Sequence, residues 1–274
     1  MTKPQILLTN DDGILSPGLW AAAESLSALG FVHVVAPREQ STGMGRSMPN
    51  TSDGVIVPQE VTVGGKTWTV YAVGGTPAQA VQHGLLEVLP IRPALVVSGI
   101  NYGENLGTGI TISGTVGAAM EAAAMGIPGL AVSLETESVH HLSYSTEVDF
   151  SGAAYFTAFF AQWMLENTMP FDVDLLKVDV PASATRATEW AVTHLARKRY
   201  FEPTAPLRTT WNEPGRPGYR RSDELAQFDR DSDVYAVLSR RVVSVTPVSL
   251  DMTARIPLET LRGTLARSLS AQNR

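Results

Sequence analysis

The sequence contains no cysteine, which excludes disulfides, thiolate metal sites and cysteine nucleophiles. Positive charge is also scarce, with 21 Lys and Arg against 27 Asp and Glu and a net charge of −6. The chain therefore lacks the basic surface of a nucleic-acid-binding protein, and no nucleic-acid partner is expected. It has no hydrophobic run long enough to span a membrane and no signal-peptide pattern, so we expect no membrane partner. A cytoplasmic location is expected, because a reducing compartment suits a chain without cysteine.

Several familiar catalytic signatures are missing as well. No G-x-G-x-x-G follows the first predicted strand, which counts against a dinucleotide-binding dehydrogenase, and no G-x-S-x-G nucleophile elbow occurs. The spacing of Gly109 and Gly114 is close to that of a phosphate loop, but Thr115 stands where the lysine should follow. The adjacent pair His140 and His141 lacks metal-ligand spacing and is predicted to lie in a solvated loop.

Strand-like and helix-like patterns alternate along the first two thirds of the 274 residues. This alternation predicts an α/β fold with a doubly wound, mostly parallel sheet. We assign residues 1–196 to the core and residues 197–274 to a C-terminal extension, a β-rich arm with a terminal helix. Runs rich in β-forming residues at 233–238 and 242–250 are predicted as strands of this arm, which could serve oligomerisation.

The stretch QILLTNDDGILSPG at residues 5–18 organises the rest of the chain. Its apolar run predicts a buried strand, after which Asp11 and Asp12 would enter the crevice where open α/β sheets bind ligands. Two adjacent carboxylates repel each other unless a cation or a proton neutralises them, and Mg²⁺ or Mn²⁺ prefers such oxygen ligands. Asn-Asp-Asp-Gly is also a common turn sequence, so a plain turn is the alternative.

Two later loops follow predicted strands and carry similar polar groups. The loop at 37–48 offers the hydroxyls of Ser41 and Thr42, and the loop at 98–115 offers the amides of Asn101 and Asn105. Because loops after parallel strands emerge at one edge, their oxygens could hold one octahedral ion and leave room for substrate. An ordinary mobile surface loop is the alternative for the first of these segments.

A helix begins just after the second of these loops, at the sequence Ser113, Gly114 and Thr115. Free N–H groups at a helix N-terminus suit a phosphate, whereas a plain Ser/Thr cap explains the same residues without a ligand. With Asn105, these three residues are our candidate phosphate-binding set.

The motifs in combination resemble the stationary-phase survival protein family, the SurE-type 5′-nucleotidases. The similarity is carried by ILLTNDDG at 6–13, VVAP at 34–37, GGTPA at 74–78, VSGIN at 97–101, NLG at 105–107, SGTVGAA at 113–119 and SVTPVSLDMT at 244–253. It covers nearly the whole chain, and the shared order and spacing are specific even though each motif alone is not.

The resemblance implies a metal-dependent phosphatase that hydrolyses nucleoside 5′-monophosphates, with 3′-nucleotides or short polyphosphate as further substrates. It implies a Rossmann-like core, a C-terminal arm exchanged between subunits of a homodimer or homotetramer, and one Mg²⁺ or Mn²⁺ per subunit. The ion would be held by Asp11, Asp12, Asn101 and a hydroxyl from Ser41 or Thr42, with a slight preference for Thr42. Asp11 and Asp12 would also be the catalytic residues, acting through a metal-activated water.

Three residues depart from the family pattern, namely Arg38, Arg46 and Gln79. They are the support for an alternative, a non-catalytic nucleotide-binding or scaffold protein with the same fold. A third option, a Mn²⁺-dependent glycosyltransferase, is disfavoured because the chain lacks a spaced Asp-x-Asp motif near the paired aspartates.

Overall fold

The computed structural model describes residues 3–141 and 144–272. The strands in this part of the chain are β1 (Gln5–Thr9), β2 (Phe31–Pro37), β3 (Ile56–Val63), β4 (Lys66–Val73), β5 (Leu95–Tyr102), β6 (Gly129–Leu134), β7 (Leu175–Val180), β8 (Trp190–Val192), β9 (Phe201–Thr204), β10 (Gly218–Arg221) and β11 (Val243–Val248). The α-helices are α1 (Pro17–Leu26), α2 (Pro77–His83), α3 (Gly114–Ala124), α4 (Ser151–Glu166), α5 (Asp233–Leu238) and α6 (Leu258–Gln272).

The central sheet confirms the predicted α/β fold. Its strand order is β3-β4-β2-β1-β5-β6-β7-β11-β8, and the run from β4 to β7 is parallel throughout. The predicted hairpin β3–β4 forms one antiparallel edge, and β11 pairs antiparallel with β7 near the other edge. Successive connections run outward from β1 on one side and from β5 on the other. The chain therefore reverses direction between β1 and β5, and ligands bind outside the carboxyl ends of strands at such a switch point.

Strand β1 is buried on both faces, as its apolar run predicted. Ile6 and Leu8 lie in the core formed with α1 and α4, whereas Leu7 lies in the core formed with α2 and α3. Side chains alternate across a strand, so consecutive apolar residues are what a strand between two helical layers requires. This packing fixes the position at which Thr9 ends the strand and the polar residues begin.

Two details differ from the sequence-based expectations. Residues 233–238 were expected to form a strand, but they form helix α5. Its N-cap residue is Ser232, whose side chain accepts a hydrogen bond from the Tyr235 backbone N–H. Capping and burial of one helix face outweigh the β propensity of its valines and tyrosine. The loop predicted at 98–115 begins later than expected, because β5 continues through Asn101 to Tyr102 after a register shift against β6.

The predicted extension at 197–274 takes part in two sheets. Strands β9 and β10 form a separate antiparallel hairpin, whereas β11 lies inside the central sheet between β7 and β8. The proposed division at residue 197 stays a prediction. Within residues 3–141 and 144–272, the structure contains no helix with the length and apolar character needed to cross a membrane.

Candidate functional site

A cavity of about 400 Å³ lies at the carboxyl edge of the sheet. Five of the sequence-predicted residues line it, namely Asp11, Thr42, Asn101, Asn105 and Ser113. Of the other four, Asp12, Ser41 and Gly114 are each adjacent in sequence to one of these five, and Thr115 follows Gly114. The structure therefore brings the candidate residues of three separate loops to one place, as expected for parallel strands that end at one edge.

Asp11 is buried against the N-terminus of helix α3. Its Oδ1 accepts a hydrogen bond from the Thr115 hydroxyl at 2.5 Å. Gly114 permits this approach, because a Cβ there would lie 2.7 Å from the Asp11 Cβ and 2.9 Å from its Oδ2. A helix N-terminus favours a negative charge, so α3 holds and partly stabilises this carboxylate. Thr115 and Gly114 thus contact Asp11, while their part in phosphate binding stays a prediction.

Asp12 has fewer stabilising contacts and is equally buried. Its Oδ2 accepts a hydrogen bond from the Tyr102 backbone N–H at 3.2 Å. Burial raises the pKa of Asp12 well above its usual value, and the neighbouring charge of Asp11 raises it further. Burial also raises the pKa of Asp11, although its hydrogen bond to Thr115 opposes this. Two such carboxyls cannot both ionise comfortably without a nearby cation.

The donor set around this pair fits a hard divalent cation. No Lys or Arg in residues 3–141 and 144–272 forms an ion pair with Asp11 or Asp12. Asn101 donates its side-chain N–H to the Gly103 carbonyl at 2.6 Å, which leaves the amide oxygen for another partner. Carboxylate, amide and hydroxyl oxygens suit Mg²⁺ or Mn²⁺. The same described residues contain no cluster of three or more His, Cys, Asp or Glu side chains, so hydroxyl, amide, water or substrate oxygens would have to complete the coordination.

The two candidate hydroxyls occupy different environments. Ser41 donates its backbone N–H to the Asp11 carbonyl at 2.7 Å, and its hydroxyl donates to the Glu39 carbonyl at 3.3 Å. Thr42 is exposed and lines the cavity. The backbone at Ser41 therefore fixes the loop to the aspartate turn, and Thr42 is the residue of this pair that lines the cavity.

Asn105 rests on a buried ion triad formed by Lys177, Asp179 and Asp233, a cluster that the sequence did not indicate. Lys177 Nζ contacts the Asp179 carboxylate and lies 3.1 Å from Asp233 Oδ2. It also donates to the Asn105 carbonyl at 2.9 Å, while the Asn105 N–H donates to Asp179 Oδ1 at 2.7 Å. Burial alone would lower the pKa of Lys177, but the two aspartates outweigh it and raise that pKa.

The triad also ties the next turn of this loop to α5. Asp233 accepts the Gly107 N–H at 2.8 Å on one carboxylate oxygen and the Ala196 N–H at 3.0 Å on the other. Every side chain of the triad is fully buried, and such groups are tolerable only when their hydrogen bonds are satisfied. Buried charged side chains therefore hold the loop that carries Asn105 by its backbone. Asp179 and Asp233 accept its N–H groups, and Lys177 donates to its carbonyl.

Glu104 lies in the cavity wall and was not predicted as a site residue. It is 3 % exposed, and its Oε1 lies 3.2 Å from the Arg221 guanidinium of strand β10. Burial raises the pKa of Glu104 to about 7, although Arg221 opposes the rise. This ion pair joins the loop after β5 to the hairpin β9–β10.

The prediction that His141 lies in a solvated loop was wrong. His141 is half-buried in the cavity wall, where its Nδ1 lies 2.9 Å from the Tyr219 hydroxyl. Phe201 and Tyr219 complete an aromatic cluster with it. No local pattern could reveal this cluster, because its members come from a turn and from two later strands that meet only in the folded chain.

Each departure from the family pattern has a partner within the chain. Arg38 forms an exposed ion pair with Asp53 at 3.1 Å, and Arg46 Nε lies 2.6 Å from Glu121 Oε2 on helix α3. Gln79 completes the capping box of α2, in which its side chain accepts the Thr76 N–H at 3.0 Å. These three side chains therefore have structural roles, which weakens the support for the non-catalytic alternative.

Comparison with known proteins gives a consistent result. A family model described as survival protein SurE matches residues 6–202. A curated protein of Thermococcus gammatolerans named 5′-nucleotidase SurE is 45 % identical over 262 residues, which cover 95 % of this chain and 96 % of that protein. A protein of the same name from Archaeoglobus fulgidus is 41 % identical over 261 residues, covering 94 % of this chain and 96 % of that protein.

The fold also matches a solved structure. The crystal structure of the SurE protein from Aquifex aeolicus superposes with a TM-score of 0.69 at 33 % sequence identity. The superposition covers 91 % of this chain and 95 % of that chain. The similarity therefore extends through the C-terminal strands as well as the parallel core.

The buried Glu104 predicts a specific pH dependence of stability. Its pKa of about 7 in the folded protein exceeds the value of 4.5 expected when unfolded, so folding favours the protonated form. The contribution of Glu104 to the free energy of unfolding is fully present below its pKa in the unfolded chain. It is lost as the pH rises through its pKa in the folded protein. Between about pH 5 and about pH 8, the wild type should lose up to about 3 kcal/mol of unfolding free energy relative to Glu104→Gln.

Urea denaturation across this pH range, with divalent ions removed, measures the difference in slope. Glu202→Gln is the matched control, because Glu202 forms an ion pair with Arg220 on the same hairpin but lies at the surface. If the free energy of unfolding depends on pH in the same way in the wild type and in Glu104→Gln, the raised pKa of Glu104 is contradicted.

Proposed function

The chain belongs to the survival protein SurE family, and from this membership we propose that it is a metal-dependent phosphatase acting on nucleoside 5′-monophosphates. The observation that carries the proposal is the buried pair Asp11 and Asp12 at the switch point of the sheet, beside a cavity with room for a small molecule. Phosphate esters are the substrates that combine well with a divalent ion and a helix N-terminus at one site.

A bound Mg²⁺ or Mn²⁺ would neutralise charge on the phosphoryl group and activate the attacking water. Asp11 and Asp12 would hold the ion, with Asn101 and Thr42 as the neutral oxygen ligands. Burial raises the pKa of both carboxyls, so protons compete with a cation at this site at a higher pH than they would at ordinary aspartates. Metal affinity should therefore fall as the pH is lowered.

Asn105 and Ser113 are proposed to bind the phosphate. One N–H of the Asn105 amide donates to the Ser133 hydroxyl at 2.8 Å, which leaves the second for a ligand in the cavity. The Ser113 oxygen accepts the Val116 N–H at 3.1 Å, so its own hydroxyl hydrogen is still available. Both residues line the cavity and present donors, which is what a phosphate oxygen requires.

A substrate panel separates this proposal from the non-catalytic alternative. Nucleoside 5′-monophosphates, 3′-nucleotides, short polyphosphate and sugar phosphates are assayed for phosphate release with Mg²⁺, with Mn²⁺ and with a chelator. The proposal requires release from 5′-nucleotides that depends on the ion. Binding of nucleotides without release under every condition would favour the alternative.

We expect Asp12→Asn to reduce kcat below about a tenth of the wild-type value, because loss of a charged ligand removes several kcal/mol of transition-state stabilisation. Asp11→Asn should have a similar effect on turnover. In the metal-free protein, Asp12→Asn should raise the thermal midpoint slightly by relieving the repulsion between the carboxylates. Asp11→Asn should not raise it, because this change also weakens the interaction with the N-terminus of α3.

Retention of more than about a tenth of wild-type kcat by both variants would contradict the metal assignment. Thermal midpoints measured with a chelator provide the second, activity-independent comparison.

The hydroxyl ligand is tested by a matched pair of substitutions. Thr42→Ala should raise the metal concentration needed for half-maximal activity, because Thr42 lines the cavity. Ser41→Ala should change it little, because the contact of Ser41 with Asp11 is made by its backbone. The opposite pattern would assign the ligand to Ser41, and no effect in either variant would show that this loop does not reach the ion.

We further propose that the protein is a homo-oligomer with contacts through its C-terminal segment. Helix α6 presents Leu258, Leu261 and Leu265 along one face, and these side chains are 66 %, 43 % and 57 % exposed. Their spacing is that of an apolar helical stripe, which normally packs against a partner surface. A second copy of the chain is the proposed partner, in keeping with the arm exchange that the family resemblance implies.

Sedimentation at micromolar concentration should show a dimer or tetramer for the wild type and dissociation for Leu261→Glu. Arg267→Glu is the control, since Arg267 lies on the opposite face of the same helix. A wild type that is monomeric and fully active would overturn the proposed role of this segment.

A further inference from the structure

Three aromatic rings form one wall of the cavity, and we call His141, Phe201 and Tyr219 the aromatic wall. The His141 and Tyr219 rings are nearly parallel, with an interplanar angle of 15° and a centroid distance of 6.3 Å. Phe201 meets both of them edge-on, at 5.3 Å from Tyr219 and 6.4 Å from His141. All three line the same cavity as Asp11, Asn101 and Asn105.

The cavity is larger than a phosphate group needs. Its volume of about 400 Å³ is typical of sites for a whole small molecule, in which apolar walls bury most of the ligand. The polar residues described above account for a phosphate and an ion. They leave the aromatic wall without a role in that chemistry.

We propose that the aromatic wall is the subsite for the base of a nucleotide, with the base stacked on a face of the Tyr219 ring. The inference rests on the proposed function and adds to it the part of the substrate that is recognised away from the phosphate. Every nucleobase has a π-face, so stacking of this kind accepts different bases.

The exposure of Tyr219 supports this assignment. Tyr219 is 51 % exposed, and His141 meets the edge of its ring, at the phenolic oxygen, rather than a ring face. The contact with His141 therefore leaves the faces of the Tyr219 ring available to a ligand. Phe201 packs edge-on against this ring and limits its movement, so the ring is held ready for stacking.

His141 is held in place by contacts on two sides of its ring. Its Nδ1 bonds with the Tyr219 hydroxyl at 2.9 Å, and burial lowers its pKa. Gly103 admits the imidazole, because a Cβ at this position would lie 2.7 Å from Nε2. Gly103 also has φ +98°, a conformation that favours glycine. The hydrogen bond between the imidazole and the phenolic oxygen therefore fixes the position of the Tyr219 ring by its edge.

The substitution Tyr219→Ala tests the subsite by comparing AMP with ribose 5-phosphate, which carries the same phosphate and sugar but no base. The ratio of kcat/KM for AMP to that for ribose 5-phosphate should fall about tenfold, in keeping with base–aromatic stacking energies. Tyr219→Phe should preserve the ratio, because it retains the ring.

Trp211→Ala is the matched control. Trp211 lies between β9 and β10 in the same hairpin segment, is 91 % exposed, and does not line the cavity. It should leave the ratio at the wild-type value. If Tyr219→Ala reduces both activities equally, or neither of them, the aromatic wall only fastens the hairpin to the core and the proposal is overturned.

Failure of the proposed function would be distinguishable from failure of this inference. If the wild type hydrolyses neither substrate, calorimetric binding of AMP and of ribose 5-phosphate replaces kinetics. The wild type should then bind AMP more tightly, and Tyr219→Ala should remove about a tenfold advantage. Equal affinities of the wild type for the two compounds would overturn the subsite whatever the catalytic activity.

Discussion

The burial of two adjacent carboxyls, Asp11 and Asp12, is the constraint on which the site depends. Strand β1 is packed between two helical layers, so the residues that follow it are buried at the carboxyl edge of the sheet rather than exposed to solvent. The N-terminus of α3 compensates Asp11, but Asp12 receives much less stabilisation. The fold thus carries an electrostatic cost that a divalent cation would remove, and this is the physical reason for expecting one there.

The buried triad of Lys177, Asp179 and Asp233 explains how a long polar loop can carry precise chemistry. Loops are ordinarily mobile, yet Asn105 is bonded through both its N–H and its carbonyl to side chains that are wholly buried. Removing one member of such a cluster would leave an uncompensated charge in the core. The triad therefore couples the position of Asn105 to β7 and α5, two elements that lie far from the proposed metal ligands in the sequence.

Patterns of neighbouring residues predicted those elements whose structure depends mainly on their own sequence. The buried strands, the turn after β1 and the helix that begins at Gly114 each follow from apolar periodicity or capping residues. The helix α5 was missed because six residues rich in valine favour a strand by propensity, and only their packing decides otherwise. The proposal of Thr42 rather than Ser41 as the hydroxyl ligand depends on which of the two residues lines the cavity, a property that spacing alone cannot supply.

The aromatic wall shows why the substrate side of the site was hardest to predict. The family model ends at residue 202, within β9, whereas Tyr219 and Arg221 lie beyond it on β10. The residues assigned to the ion and the phosphate all lie inside the matched region. A base that stacks without directional hydrogen bonds requires only an exposed ring of suitable size. Such a requirement produces no fixed pattern in the sequence around Tyr219, so a search for motifs has nothing to detect there.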